Sequence, residues 1–331
     1  MPQQWDRRRD KDRTYHFAPY AALRSRLVRA VIAGVLLGVL VFSVIQLVNY
    51  GGDYVATRQA EDELRRLYYE DDQATAAPAT ATAAPTATPA PTETPVATEA
   101  AAVQATPVPT PVRLPEKRYP ANPWAAVSER FQRLRNQNKD IIGWLTIEGM
   151  LDQAVVQRDN TYYLARDYRG YHNVNGALFL DQNCDLKTRP YTLLIYGHNM
   201  KTGAMFGNLR QYEKASFYRS NAFCTFDSMY ESGEYVIFSA CTVSLRKGDF
   251  DYLDFAGLSS LSPERRQEAI TLLKARSHFS CQVDVAPEDQ LLLMITCVDD
   301  ENDRRIVAAR RLREGESRET LQHLVQYSTQ R

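Results

Sequence analysis

The sequence predicts a mostly β fold, a closed or nearly closed barrel with an N-terminal helix and additional helices, preceded by one transmembrane helix and a disordered linker. Three observations predict it. Seven short segments rich in β-branched and aromatic residues recur between polar turns in the C-terminal two-thirds of the chain. One stretch near the N-terminus, 31–48, carries no charge and is long enough to span a bilayer. An Ala/Thr/Pro-rich stretch lies between the two and lacks the apolar content to bury a core. With 44% hydrophobic and 24% charged residues in 331, composition excludes a wholly disordered chain, a collagen-like chain and a small disulfide scaffold.

The elements follow in order. Residues 1–30 form a basic arm with Arg7, Arg8, Arg9, Lys11, Arg13, Arg24, Arg26 and Arg29, net +5, while 49–331 sum to −5, so the formal net charge of zero joins two opposite compartments. The basic flank places the N-terminus in the cytoplasm and the rest of the chain outside the cell membrane, as a single-pass protein. Contact with anionic lipid is the expected partner of this arm, and nucleic acid is the lesser alternative. The span 31–48 reads VIAGVLLGVLVFSVIQLV; the 30-residue lead and the lack of a small-x-small site favour an uncleaved anchor over a signal peptide. Residues 49–73 are a short charged juxtamembrane segment, expected as a solvated extension of the anchor helix. Residues 74–119 are an extracellular spacer; its 74–112 core holds eight of the chain's sixteen prolines and no glycine, favouring polyproline II. Fully extended, that core reaches on the order of 120 Å, which suggests a stalk holding a domain away from the membrane.

The globular domain occupies 120–313. Asn122 and Pro123 are the expected start of a first helix, with Trp124, Val127, Phe131 and Leu134 on one apolar stripe. Strands are expected at 141–147, 153–156, 176–180, 191–197, 234–243, 290–297 and 305–309, and a second helix from Ser262-Pro263. The tail 314–331 has Leu321, Leu324 and Tyr327 at the spacing of a small amphipathic helix docked on the barrel.

Five cysteines follow the span, an odd number, and no two are spaced as C-x-x-C, which argues against a zinc or thioredoxin-type site. Cys297 closes the apolar run LLLMIT before the polar turn VDDEND, and His198 follows TLLIYG. Both sit where a strand leaves the sheet, a common place for a chemical group on a rigid support. A strand-end core cysteine has the same local pattern. Arg305 opens the strand after Cys297, and a hairpin would bring the two to one end of the sheet. Thiol, imidazole and guanidinium together make an acyl-transfer set of nucleophile, acid–base and oxyanion donor.

The segments NKDIIGWLTIEG (138–149), AVVQRDNTYYLARDYRG (154–170), GALFLDQNC (176–184), LLIYGHNMKTGAMFGNLRQY (193–212), ITC (295–297) and RRIVAARRL (304–312) resemble the successive signatures of class B sortases, over about 122–313. The resemblance implies a membrane-anchored cysteine transpeptidase of the Gram-positive type, with no cofactor. It implies that Cys297 cleaves a C-terminal sorting signal after threonine and forms a thioester. His198 is then the general acid and base. Arg305 stabilises the oxyanion, its R-I-V context fitting better than that of Arg304. The partners implied are secreted proteins bearing the sorting signal, and an amine of a cell-wall precursor or pilin. Asn160, Leu164 and Tyr196 match groove-lining positions, Tyr252 and Leu253 the loop that covers the groove, and Thr296 the same pocket. Two features depart from the family: the loop after Tyr252-Leu253 is short, and the tail 314–331 runs past the usual last strand. The alternatives are a cysteine endopeptidase that hydrolyses the same signal and a catalytically silent wall-spanning binding module.

Overall fold

A computed structural model describes residues 19–75, 126–250, 252–254, 257–258, 261–298 and 302–331. The chain divides into two compact units, Met1–Val55 and Ala56–Arg331. In the first, helix α1 (Pro19–Thr75) begins, and its stretch Val28–Val48 has a mean hydropathy of 2.7 with its side chains unburied by protein. By length and composition this stretch can cross a membrane. Ser43, its one hydroxyl, donates back to the Val39 carbonyl at 2.8 Å, which lowers the cost of placing it in hydrocarbon.

The second unit holds the rest of α1 and a closed eight-stranded barrel. The strands are β1 (Ile141–Ile147), β2 (Leu151–Val156), β3 (Leu178–Leu180), β4 (Thr192–Tyr196), β5 (Phe223–Ser228), β6 (Glu234–Ser244), β7 (Leu291–Cys297) and β8 (Asp303–Arg311), in the spatial order β1-β2-β3-β4-β7-β8-β6-β5. Closure leaves no free sheet edge. The strands β4 and β7 pair in parallel at the centre. Both are near-continuous apolar runs, as expected of strands buried on two faces. A short helix α3 (Ala215–Ser220) precedes β5, and the helix α4 (Pro263–Arg276) starts as expected, with the Ser262 hydroxyl accepting from the Arg265 amide.

Several elements differ from expectation. The first domain helix, α2 (Glu129–Gln137), starts seven residues after the expected cap and is capped by Ser128, whose hydroxyl accepts from the Phe131 amide. Residues 122–125 lie outside the described residues. The strand β5 was not expected, because Thr225 and Asp227 alternate with its buried residues and it ends on a buried serine, Ser228. The tail helix α5 (Arg318–Gln326), with a capping box at Ser317 and Thr320, buries Leu321 and Val325, while Tyr327 is exposed beyond its end.

The charged segment after the span is not simply solvated. Ala60, Leu64 and Tyr68, four residues apart on α1, are buried against the barrel. Tyr68 stacks on Trp144 of β1 with ring centroids 4.3 Å apart, and its hydroxyl donates to Asp227. Asp152 gathers the other polar contacts, accepting from Arg65 Nε at 2.8 Å, Tyr69 at 3.0 Å and the Trp144 indole at 2.6 Å. Glu70 and Arg133 lie 3.9 Å apart. Of the stretch read as a spacer, 74–119, Ala74 and Thr75 end α1, and the rest lies outside the described residues.

Burial under the helix pushes the Glu61 carboxyl up to about 7, against the pull of Arg65 and Arg58. The folded state thus binds a proton more tightly than the free chain. The stabilisation is complete below the ordinary carboxylate range and is lost as pH rises through about 7. Amide exchange of residues 58–70, corrected for its intrinsic pH dependence, should accordingly be more protected at pH 5 than at pH 8, and Glu61→Gln should flatten that difference. Tyr68→Ala should cost about 3–5 kcal/mol of docking, seen as loss of protection in this helix while the barrel strands keep theirs.

Candidate active site

The register of the central strands builds the site. In the parallel β4–β7 pair, Tyr196 stands opposite Ile295. His198 and Cys297 lie two residues beyond that pair on neighbouring strands about 4.8 Å apart. The Gly197 amide continues the ladder to the Ile295 carbonyl at 3.2 Å. In the antiparallel β7–β8 pair, Cys297 stands opposite Arg304 and Thr296 opposite Arg305.

Side chains alternate across a strand, so residues directly opposite one another share a face. Ile295, Cys297 and Arg304 face a groove of 330 Å³ that is also bordered by Asn160, Leu164, Phe179, Tyr196, Gly197, His198 and Leu245, and by Thr296, which lies in the strand between Ile295 and Cys297. Five expected residues around the thiol therefore converge with it on one groove: Asn160, Leu164, Tyr196, His198 and Thr296. Arg305 does not join them. It points to the opposite face of β8, where its guanidinium pairs with Glu213. Arg304, the neighbour set aside on the R-I-V pattern, faces the groove in its place.

Leu253 is only 6% exposed and packs in the core, where its apolar side chain is satisfied, and Tyr252 bridges to Ser244. Neither borders the groove; from the segment after β6, Leu245 does. Phe179, Leu245 and Ile295 were missed because each reads locally as an ordinary core or strand residue.

A hydrogen-bonded floor supports the groove. The carboxylate of Asp181, 3% exposed, accepts from Asn160 Nδ2 at 2.9 Å and from the Tyr196 hydroxyl at 3.1 Å. The Asn160 oxygen accepts from the Gln182 amide at 2.9 Å. With both ends of its amide engaged, Asn160 is a fixed wall rather than a free arm. Burial and the Asp181 charge push the Tyr196 phenol far above its ordinary range, so it stays a neutral donor.

His198 Nε2 lies 2.6 Å from the Leu164 carbonyl. A carbonyl only accepts, so Nε2 carries the proton and Nδ1 is left for proton exchange. Gly176 backs this contact with φ +62°; a Cβ there would meet the Tyr163 and Leu164 carbonyls at 2.7 and 2.9 Å and His198 Cδ2 at 3.1 Å. All five cysteines are free thiols, and Cys297 is the exposed one. Burial pushes Cys184 up to about 11 and Cys224 up to about 12, so neither offers a thiolate near neutrality. Among the described residues, no cluster of His, Cys, Asp or Glu is arranged to hold a metal ion.

An exposed thiol, an imidazole at the matching position of the next strand and a guanidinium across the hairpin share one groove of a closed barrel, the residue types that acyl transfer by a cysteine uses. No family model matches the chain. Sortase B of Staphylococcus aureus is 30% identical over 190 residues, covering 56% of this chain and 75% of that protein. Sortase B of Listeria monocytogenes is 30% identical over 181 residues, covering 54% of this chain and 70% of its own. A solved Staphylococcus aureus sortase B–substrate complex superposes with a TM-score of 0.50 at 27% identity, over 57% of this chain and 87% of the solved one. The chain belongs to the sortase B family and is a cysteine transpeptidase.

In the native protein a limiting thiol reagent should modify Cys297 alone, as read by peptide mass mapping, with the buried thiols reacting only after denaturation. Gly176→Ala forces an L-residue into a left-handed backbone conformation and crowds the Leu164 carbonyl and the imidazole. Turnover should fall about tenfold or more, with Cys297 labelling retained.

Proposed function

We propose that this chain cleaves a sorting signal after its threonine and joins the new carboxyl end to an amine on a cell-wall precursor or pilin, working from a membrane anchor formed by the apolar part of α1. The observation that carries this reading is the shared groove of Cys297, His198 and Arg304, at the ends of three adjacent strands. The Staphylococcus aureus relative solved with substrate supports a peptide as the occupant of the corresponding groove here.

The chemistry follows from the placements. The Cys297 thiolate attacks the threonine carbonyl, and the developing oxyanion meets the Arg304 guanidinium. The C–N bond breaks as the leaving amine takes a proton from His198. An acceptor amine then gives its proton to His198 and attacks the thioester, which forms the new amide and releases the thiol. Asn160 and Tyr196, held by Asp181, form rigid walls that position the extended signal. Rigidity here limits the ordering cost on binding. The basic arm before the span orients the anchor with the barrel outside the cell.

The test is incubation of the full chain with a sorting-signal peptide, with and without an amine acceptor. A ligation product that requires the amine supports transfer. Hydrolysis alone, unchanged by amine, favours an endopeptidase. Cys297→Ala and His198→Ala should abolish product, and Arg304→Ala should lower the rate about 10²–10³-fold, the cost of one oxyanion donor. Absence of a trapped thioester in the wild type would favour a silent binding module.

A further inference from the structure

The Leu164 carbonyl that meets His198 Nε2 belongs to a residue 42% exposed, so its place is set by neighbours rather than by its own side chain. The turn that carries it is Tyr162–Ala165. Within this turn Tyr163 is buried, its hydroxyl donating to Asp140 at 2.8 Å and its carbonyl accepting from the Ala177 amide at 3.1 Å. Beyond the turn Tyr168 is buried as well, and its hydroxyl donates to the Ala60 carbonyl of α1 at 3.2 Å. The backbone that orients the imidazole is thus bonded directly to the helix that follows the apolar span.

Packing makes the same connection. Ala60, Leu64 and Tyr68 share one buried apolar cluster with Tyr163, Tyr168 and Ala177. The cluster reaches Phe179, which borders the groove and packs on Tyr196 with ring centroids 5.3 Å apart. A cavity of about 20 Å³ lies where the two sides meet, with Ala60, Glu61 and Leu64 on one side and Gly176, Ala177 and Met205 on the other. Gly176 backs the Leu164 carbonyl and the imidazole. Met205 closes the loop of His198 by bridging to Asn199, and the next amide, of Phe206, donates to the His198 carbonyl at 3.0 Å. Both supports of His198, the Leu164 carbonyl and its own loop, therefore abut the docked face of α1 across one small space. Close-packed interiors pass displacements on rather than absorb them.

We propose that this face of α1 is a positioning element for acyl transfer: Leu64 and Tyr68, when docked, hold the segment from Tyr163 to Ala177 and through it the tautomer of His198. The proposal rests on the reading of His198 as the acid–base group. The helix touches neither thiol nor substrate. Its release removes the apolar cover of Tyr168 and Ala177 and frees the Leu164 carbonyl to move. An imidazole that loses this acceptor samples both tautomers, and in the wrong one Nδ1 holds a proton it should be exchanging. Turnover then follows the docked fraction of the helix, a property set by the residues after the apolar span rather than by those in the groove.

The experiment uses the full chain in detergent micelles, with steady-state transpeptidation of a sorting-signal peptide, amide exchange, thermal unfolding and the ring-nitrogen chemical shifts of the histidines measured in parallel. The His198 signal is identified by its loss in His198→Ala. Leu64→Asp puts an unpaired carboxylate into the apolar contact and should release the helix, seen as loss of protection over 58–70. Leu64→Asp and Tyr68→Ala should each lower kcat about tenfold or more and change KM by less than about twofold, with the His198 ring moving from the Nε2–H form to a mixture of tautomers. Leu64→Met keeps the apolar contact and should retain more than half of the wild-type rate. Wild-type kcat in Leu64→Asp, with His198→Ala inactive, overturns the positioning role and leaves the acid–base reading standing. Full activity in His198→Ala overturns that reading and the proposal with it. Unchanged protection over 58–70 in Leu64→Asp overturns the proposal too, since docking would then not depend on this face. So does a fall in kcat with the His198 ring unchanged, or one that tracks a lower unfolding midpoint of the barrel, because a merely structural contact behaves that way.

Discussion

The parallel pairing of β4 with β7 is the constraint on which the site depends. Parallel neighbours end at the same edge of a sheet, so residues equally far past a shared pair emerge side by side. Tyr196 opposite Ile295 therefore determines that His198 emerges beside Cys297. Neither residue needs a long loop to reach the other, and each is backed by a buried strand that holds its Cα. The antiparallel β7–β8 pair then adds a guanidinium from a third strand. One sheet edge thus assembles three chemical groups from segments about a hundred residues apart in sequence. The apolar character of β4 and β7 belongs to the same logic, since a strand buried on both faces has little freedom to shift register.

Around this edge, the supporting interactions are polar and local. Asp181 sets Asn160 and Tyr196, and the Leu164 carbonyl sets the tautomer of His198. The absence of a side chain at Gly176 lets that carbonyl and the imidazole approach. On another face of the barrel, Asp152 plays a comparable part for α1, collecting an arginine, a tyrosine and an indole. In both places a single carboxylate organises several donors, which satisfies buried polar groups with few residues.

Much of this was readable from the sequence, for identifiable reasons. Strands with continuous apolar runs stood out, and so did the two strand ends carrying Cys297 and His198, because a sharp change from apolar to polar marks where a strand leaves the core. β5 escaped notice because half of it is Thr225, Asp227 and Ser228, residue types that also make turns. The helix carrying Phe131 and Leu134 is capped by Ser128, a weaker sequence signal than the Asn-Pro pair before it. Which of Arg304 and Arg305 borders the groove needed the register, which adjacent identical residues conceal. Long-range satisfaction was equally hidden. Arg310 is fully buried, paired at both Nη atoms with Glu316, and nothing in the run RRIVAARRL distinguishes it from the half-buried Arg304 and Arg305. The buried face of α1 was overlooked because its three apolar contacts are spread among charged residues.

The near approach of Glu70 and Arg133 has a consequence for how this protein can vary. The chain between them leaves and returns to one patch, so its length enters the folding free energy only through loop closure. Doubling such a stretch costs about 0.6 kcal/mol. Repeats of Ala, Thr and Pro can therefore be gained or lost there with almost no penalty to the barrel or the groove.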